Sequence, residues 1–163
     1  MNSFTRQALA REGFGGFLTF DQLRRCIGEV PAKGGVYLVI RDVKTPVAFL
    51  GSNPGGRFKG RDPTAALDAL AAKWIAGCEL VYVGKGDNIQ RRLKQYADFG
   101  DGRPIGHWGG RYIWQLADSD RLLVAWMTCG SDETAAMMEA RLLRRFKAEH
   151  GGRLPFANIA DPT

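Results

Sequence analysis

The sequence predicts a mixed α/β domain in which a small sheet is flanked by helices and a helical segment is inserted between the first two strands. Three observations carry this. Two short β-rich runs, Val36-Tyr37-Leu38-Val39-Ile40 and Leu80-Val81-Tyr82-Val83, sit beside glycines. Two long stretches, Asn88 to about Phe99 and the segment ending near His150, repeat their apolar residues at helical spacing. Between those helices, Arg121 to Thr128 is a continuous apolar run of the kind that occupies a central strand. The order is β, helical insert, β, α, β, α, which suits one mixed layer structure.

Taken in order, residues 1–33 form an N-terminal extension. Residues 1–17 are mixed and punctuated by glycine, and Phe20 to Val30 reads as a short helix with Thr19 or Asp21 near its start. Pro31 and Gly34-Gly35 end it before the first strand. Residues 44–77 are an insertion. Its first part is a glycine-rich basic loop, and Asp62-Pro63-Thr64 opens a helix to about Trp74, with Pro63 suited to the first turn. After the Asn88 helix comes a second insertion, residues 100–117, holding Arg103, His107, Trp108 and Arg111, with a short strand expected over Tyr112 to Leu116. Ser131 and Asp132 are expected to cap the last helix, and Gly151-Gly152 to stop it. At 163 residues the chain suits a single domain able to bury a core without staples.

Composition narrows the function classes. The formal net charge is +6 and the sequence pI about 9.5, as expected of a protein that meets phosphates. Cys26, Cys78 and Cys129 are odd in number and far apart, which argues against a disulfide framework and a zinc site. No apolar run approaches membrane-spanning length, and the N-terminus lacks a signal-peptide pattern, so a cytoplasmic chain with no membrane partner is expected.

Two helices hold the residues that could do chemistry. On the first, Ile89, Leu93, Tyr96 and Ala97 share one face, and Arg91 and Lys94 point away from it. Arg92 lies at the edge of the apolar stripe, where its stem can rest on the core and its head reach water. On the last helix, Ala135, Glu139, Leu142, Leu143 and Phe146 fall on one face. A carboxylate inside such a stripe is costly unless paired or bound to metal. Helix geometry leaves both readings open: a buried pair with an arginine such as Arg92, or a metal-ligating carboxylate on the floor of a cleft. Each of the first two strands also presents a tyrosine beside glycine and valine, in Gly35-Val36-Tyr37 and Tyr82-Val83-Gly84.

These two triplets resemble the name-giving motifs of the GIY-YIG nucleases, and the resemblance extends through Lys85, Asn88, Arg92 and Tyr96. The run from Val81 to Tyr96 is especially similar to the N-terminal nuclease domain of the bacterial excision-repair incision enzyme. The resemblance implies a small, central, mainly antiparallel three-stranded sheet. It places a catalytic glutamate at Glu139 and a closing asparagine at Asn158. The matched segments cover about residues 34–41, 79–97 and 120–158. The two tyrosine motifs stand 45 positions apart, wider than in compact members, so residues 44–77 and 100–117 are departures from the minimal pattern.

What the resemblance implies is a Mg²⁺-dependent (or Mn²⁺-dependent) endonuclease that hydrolyses DNA, with RNA equally compatible. Glu139 would hold the cation, Arg92 would donate to phosphate oxygens, and Tyr37 or Tyr82 would position the attacking water with help from Lys85. Gly84, Tyr96 and Asn158 would position substrate. Arg57, Lys59, Arg61, Arg103 and Arg111 could grip backbone phosphates, with Trp108 free to stack on an unpaired base. His107, a lone histidine, reads as structural or as a substrate contact; His150, at a helix end, reads as structural. The alternatives are a non-catalytic nucleic-acid-binding module on the same scaffold and an interaction domain in which the tyrosines and Glu139 merely complete a core.

Overall fold

In the computed structural model, which describes residues 2–163, the chain forms an antiparallel α+β fold. Its elements are α1 (Arg6–Glu12), β1 (Gly15–Thr19), α2 (Phe20–Arg25), β2 (Gly35–Ile40), α3 (Leu67–Lys73), β3 (Leu80–Gly86), α4 (Ile89–Gly100), β4 (Leu123–Thr128) and α5 (Ala135–Glu149), with 3₁₀ turns between them. The sheet has four strands in the order β1-β4-β2-β3, all paired antiparallel. This corrects the expected three. The extra strand, β1, escaped the sequence because it lacks alternation: Gly16 and Phe17 both have positive φ (94° and 56°), and the register shifts between Gly16 and Leu18. Gly16 has no substitute there, since a Cβ would run into the Trp126 indole across the pair.

Both faces of the sheet are covered, which is why every residue of β2 is buried and the strand reads as unbroken apolar sequence. One face carries Tyr37, Val39, Tyr82 and Val124 against Leu23 of α2 and Ile89, Leu93 and Tyr96 of α4. The other carries Val36, Leu38, Leu80, Val83 and Ala125 against Leu9 of α1 and Met138, Leu142, Leu143 and Phe146 of α5. A β-bulge lies in the β2–β3 pair: Val39 pairs Tyr82 and Ile40 pairs Leu80, so Val81 has no opposite residue. β3 is an edge strand, and the C-terminal tail covers its free side. The Ala157 N–H donates to the Val81 carbonyl at 2.8 Å, and the Asn158 side chain completes the edge.

The helices start where short polar side chains supply caps. Asn88 caps α4 by accepting from the Arg91 N–H at 3.0 Å. The cap of α5 is Thr134, which accepts from Met137, not Ser131 or Asp132. α3 begins at Leu67, five residues later than Asp62, and has no side-chain cap. The Phe20–Val30 helix is split into α2 and a 3₁₀ turn at Ile27–Glu29. Tyr112 to Leu116 is not a strand. Most of it belongs to a 3₁₀ segment, Trp108–Gln115, and only Leu116 makes a bridge, to Phe49.

The two insertions fold onto each other. The buried Gln115 side chain donates to the carbonyls of Leu50 and Ala65 and accepts from the Ala65 N–H, each at 2.9 Å. Buried Arg41 ties the base of this lobe to the sheet through Asp118 at 2.9 Å and the Thr45 carbonyl at 2.9 Å. Each guanidinium nitrogen of Arg41 is engaged, and a buried pair held this way fixes geometry more than it adds stability. No helix among the described residues is long and apolar enough to cross a membrane.

Candidate active site

Where the C-terminal tail covers the edge of β3, Tyr82, Gly109, Glu139 and Asn158 line a cleft of about 160 Å³, together with Ala160 and Pro162 of the tail. At roughly 30 Å³ per water in the liquid, that is space for a few waters or a hydrated ion. Each group arrives from a different element. Tyr82 comes from β3, Glu139 from α5, Gly109 from the second insertion and Asn158 from the tail.

The two tyrosines are not equivalent. Tyr82 keeps an edge on the cleft, and Tyr37 lies behind it, 1% exposed, with ring centroids 6.2 Å apart. The cross-strand register explains this: Tyr37 pairs Gly84, and its ring fills the space that a side chain at Gly84 would take. Burial pushes the Tyr82 phenol up to about 12; Arg92 favours the phenolate and Glu139 opposes it. Burial likewise pushes Tyr37 and Tyr96 well above the ordinary phenol value.

His107 completes this layer. Its ring stacks on Tyr96 at 3.7 Å between centroids, and its Nε2 meets the Tyr37 hydroxyl at 2.7 Å. The residue is fully buried. Burial, and secondarily the Arg92 charge, hold the imidazole well below its ordinary value, so the ring is neutral at pH 7. Tyr96 donates its hydroxyl to the Gly110 carbonyl at 2.6 Å and is 0% exposed, so its work is to seat the His107 loop, not to touch a substrate. Nothing in the sequence around His107 marks its two partners, which come from β2 and α4.

Arg92 is half-buried, as its place on the helix edge predicts. Its Nη1 donates to the Gly106 carbonyl at 2.6 Å and to Gln95 Oε1 at 3.1 Å, which aims the guanidinium along the tyrosine layer. It does not pair with Glu139. Glu139 is half-buried, with no hydrogen bond or ion pair among the described residues, and the full burial expected of it falls instead on Met138. Burial raises its carboxyl, and Lys85 opposes that shift. Lys85 therefore acts on Glu139 and not on Tyr82. Three residues along a strand reverse the face, and α5 lies on the side of the sheet opposite Tyr82.

Asn158 bridges the β3 backbone, accepting from the Val83 N–H and donating to the Val83 carbonyl, both at 2.9 Å. It mimics a further strand and at the same time lines the cleft. Among the described residues no three His, Cys, Asp or Glu side chains gather as a metal-holding group. The donor set at the cleft is one unpaired, half-buried carboxylate with room for waters. That fits Mg²⁺, which keeps several waters and takes one or two carboxylates plus substrate phosphates.

The remaining candidates are dispersed. Arg57 lies by Asp62 at 3.4 Å, Lys59 sits over the Phe58 ring, and exposed Arg103 is 4.0 Å from Asp98; none lines the cleft. Trp108 is half-buried with guanidinium groups of Arg61 and Arg111 over its ring, at 4.6 and 4.5 Å. No protein-family model, curated protein or solved structure matches the chain.

Proposed function

We propose that this protein is a divalent-cation-dependent endonuclease of the GIY-YIG type that hydrolyses phosphodiester bonds in DNA. The observation that carries the reading is the convergence of Tyr82, Glu139 and Asn158 on one cleft, with Tyr37 and Arg92 close behind and acting on the Tyr82 phenol. The resemblance of the two tyrosine triplets and the arginine helix adds to it.

In this reading the cleft seats the scissile phosphate. Glu139, with waters, would hold Mg²⁺ or Mn²⁺, which would supply charge neutralisation at the phosphate and the leaving oxygen. Arg92 turns its remaining N–H groups to the non-bridging oxygens, where charge grows as the water oxygen bonds to phosphorus and the bond to the leaving oxygen breaks. Tyr82 orients the attacking water. With its phenol raised to about 12 it is protonated at neutral pH, and it accepts the water's proton only in its minor ionised form. Tyr37, behind Tyr82, favours the Tyr82 phenolate, and neutral His107 holds the Tyr37 hydroxyl in turn. Burial raises the Glu139 carboxyl, and Lys85 favours its ionised form against that shift.

The test is cation-dependent cleavage of plasmid, branched and single-stranded DNA by wild type, Arg92→Ala and Glu139→Ala. Cutting is expected with Mg²⁺ or Mn²⁺, with losses on the order of 10²-fold or more in either folded variant. A folded wild type that binds DNA but cuts no substrate with either cation would leave the non-catalytic binding module as the function.

A further inference from the structure

Beside the cleft, cations and aromatic rings alternate in one continuous series. Lys73 Nζ lies 5.9 Å from the Tyr112 ring centroid, and Arg111 lies 5.2 Å from that same ring. Arg111 also lies 4.5 Å from the Trp108 ring, and Arg61 lies 4.6 Å from it. Lys73 and Arg61 come from the first insertion, and the other three residues from the second, so the series exists only because the lobe brings the two together.

Three features distinguish it from an ordinary solvated face. First, none of its three cations pairs with a carboxylate among the described residues, although surface carboxylates pair with Arg57, Lys94, Arg141, Arg145 and Lys147 elsewhere. Lys73 donates to the Asn158 carbonyl at 2.6 Å and Arg111 to the Trp108 carbonyl at 3.1 Å, so these two heads are placed by neutral groups that leave their charge uncompensated. Second, like charges crowd. Burial first, and Arg61 in addition, draw Arg111 below its ordinary value; burial first, and Arg153 in addition, do the same to Lys73. An anion laid across them relieves that repulsion. Third, the series starts at the cleft rim. Asn158, which holds Lys73, lines the cleft, and Trp108 adjoins Gly109, which lines it too.

We propose that the Lys73–Tyr112–Arg111–Trp108–Arg61 ladder is a preorganised track for the sugar–phosphate backbone of the DNA running out of the cleft. This rests on the reading of the cleft as a DNA site. Stacking of the guanidinium groups occupies ring surface that a base would otherwise use, and it leaves the guanidinium N–H edges free for phosphate oxygens. The track therefore grips phosphates without reading sequence, and its contribution to binding is electrostatic and salt-dependent.

The deciding experiment is binding of labelled DNA by fluorescence anisotropy in EDTA, so that nothing is cut, between 50 and 200 mM salt. Wild type, Arg61→Gln, Arg111→Gln, the double variant and Arg25→Gln, which lies outside the ladder, are compared on two unrelated sequences. The double variant is expected to lose roughly 10-fold or more in affinity on both sequences, with a slope of log K against log salt shallower by about one per arginine removed. Arg25→Gln is expected to bind as wild type, and Arg61→Lys with Arg111→Lys to recover part of the loss. Because exposed Arg61 makes no side-chain hydrogen bond among the described residues, Arg61→Gln alone decides the matter if the double variant melts early. Wild type that binds and cuts DNA while the ladder variants match its affinity and salt slope overturns the track and leaves the nuclease reading standing. Wild type that neither binds nor cuts DNA ends both, and binding of an acidic peptide in its place makes the ladder a protein contact.

Discussion

Acidifying the protein from pH 7 to pH 5 is expected to weaken the fold by about 2 kcal/mol through His107 alone. The ring is fully buried, and burial with the Arg92 charge holds its folded value well below 6.5. In the unfolded chain the same imidazole titrates near 6.5. Below that pH the unfolded state binds a proton that the folded state refuses. The stability is thus fully present above about pH 6.5 and is lost as pH falls toward the folded value, at about 1.4 kcal/mol per unit. Between pH 7 and 5 this amounts to about 2 kcal/mol while the buried ring stays neutral. The assay is urea denaturation at both pH values for wild type and His107→Gln. The carboxylates titrate in both proteins and cancel, so wild type should lose about 2 kcal/mol more than the variant. Equal losses would mean that the imidazole is hydrated or already charged in the fold, and would refute the buried Tyr37–His107 contact as described.

Three further outcomes follow from named contacts. Glu139→Ala should leave stability within about 1 kcal/mol of wild type in urea denaturation, because it removes a half-buried carboxylate that has no partner among the described residues; a loss of several kcal/mol would assign Glu139 to the core, as the interaction-domain reading requires. Asn158→Ala should cost about 2–4 kcal/mol by the same measurement, since it strands both the N–H and the carbonyl of Val83. Gly84→Ala should cost about 1–3 kcal/mol in thermal or urea unfolding and disturb cleavage besides, because the added Cβ falls 2.6 Å from the Tyr37 hydroxyl oxygen; a variant as stable as wild type would place the Tyr37 ring elsewhere.

The elements that were legible in the sequence are those whose side chains repeat at their own period. β2, β3, β4, α4 and α5 all lie where the patterns put them, to within a few residues, and Arg91 and Lys94 face solvent while Arg92 sits at a half-buried edge. β1 was not legible because two positive-φ residues and a bulge remove its alternation. The helix after Asp62 starts later, at Leu67, than the sequence suggests, because Pro63 suits the first turn of a helix and the loop ahead of one equally well. On the last helix Ala135, Leu142, Leu143 and Phe146 are buried where their spacing puts them; Glu139 alone leaves the stripe, half-buried at its edge beside buried Met138, since a wheel locates a stripe's border only to within about one residue's rotation.

By itself, the sequence determined which residue types could do chemistry here and on which elements they ride: a tyrosine on each of two strands, an arginine at a helix edge, a carboxylate beside an apolar stripe. Only the tertiary structure decided that Tyr82 faces the cleft while Tyr37 stands behind it, that Lys85 serves Glu139, that His107 meets Tyr37 across 70 positions, and that two insertions join into one cationic lobe. The physical reason is range. Periodicity records which face of its own element a residue occupies, but which faces meet depends on strand register, on the Val81 bulge and on loop closures, none of which leaves a mark in neighbouring residues.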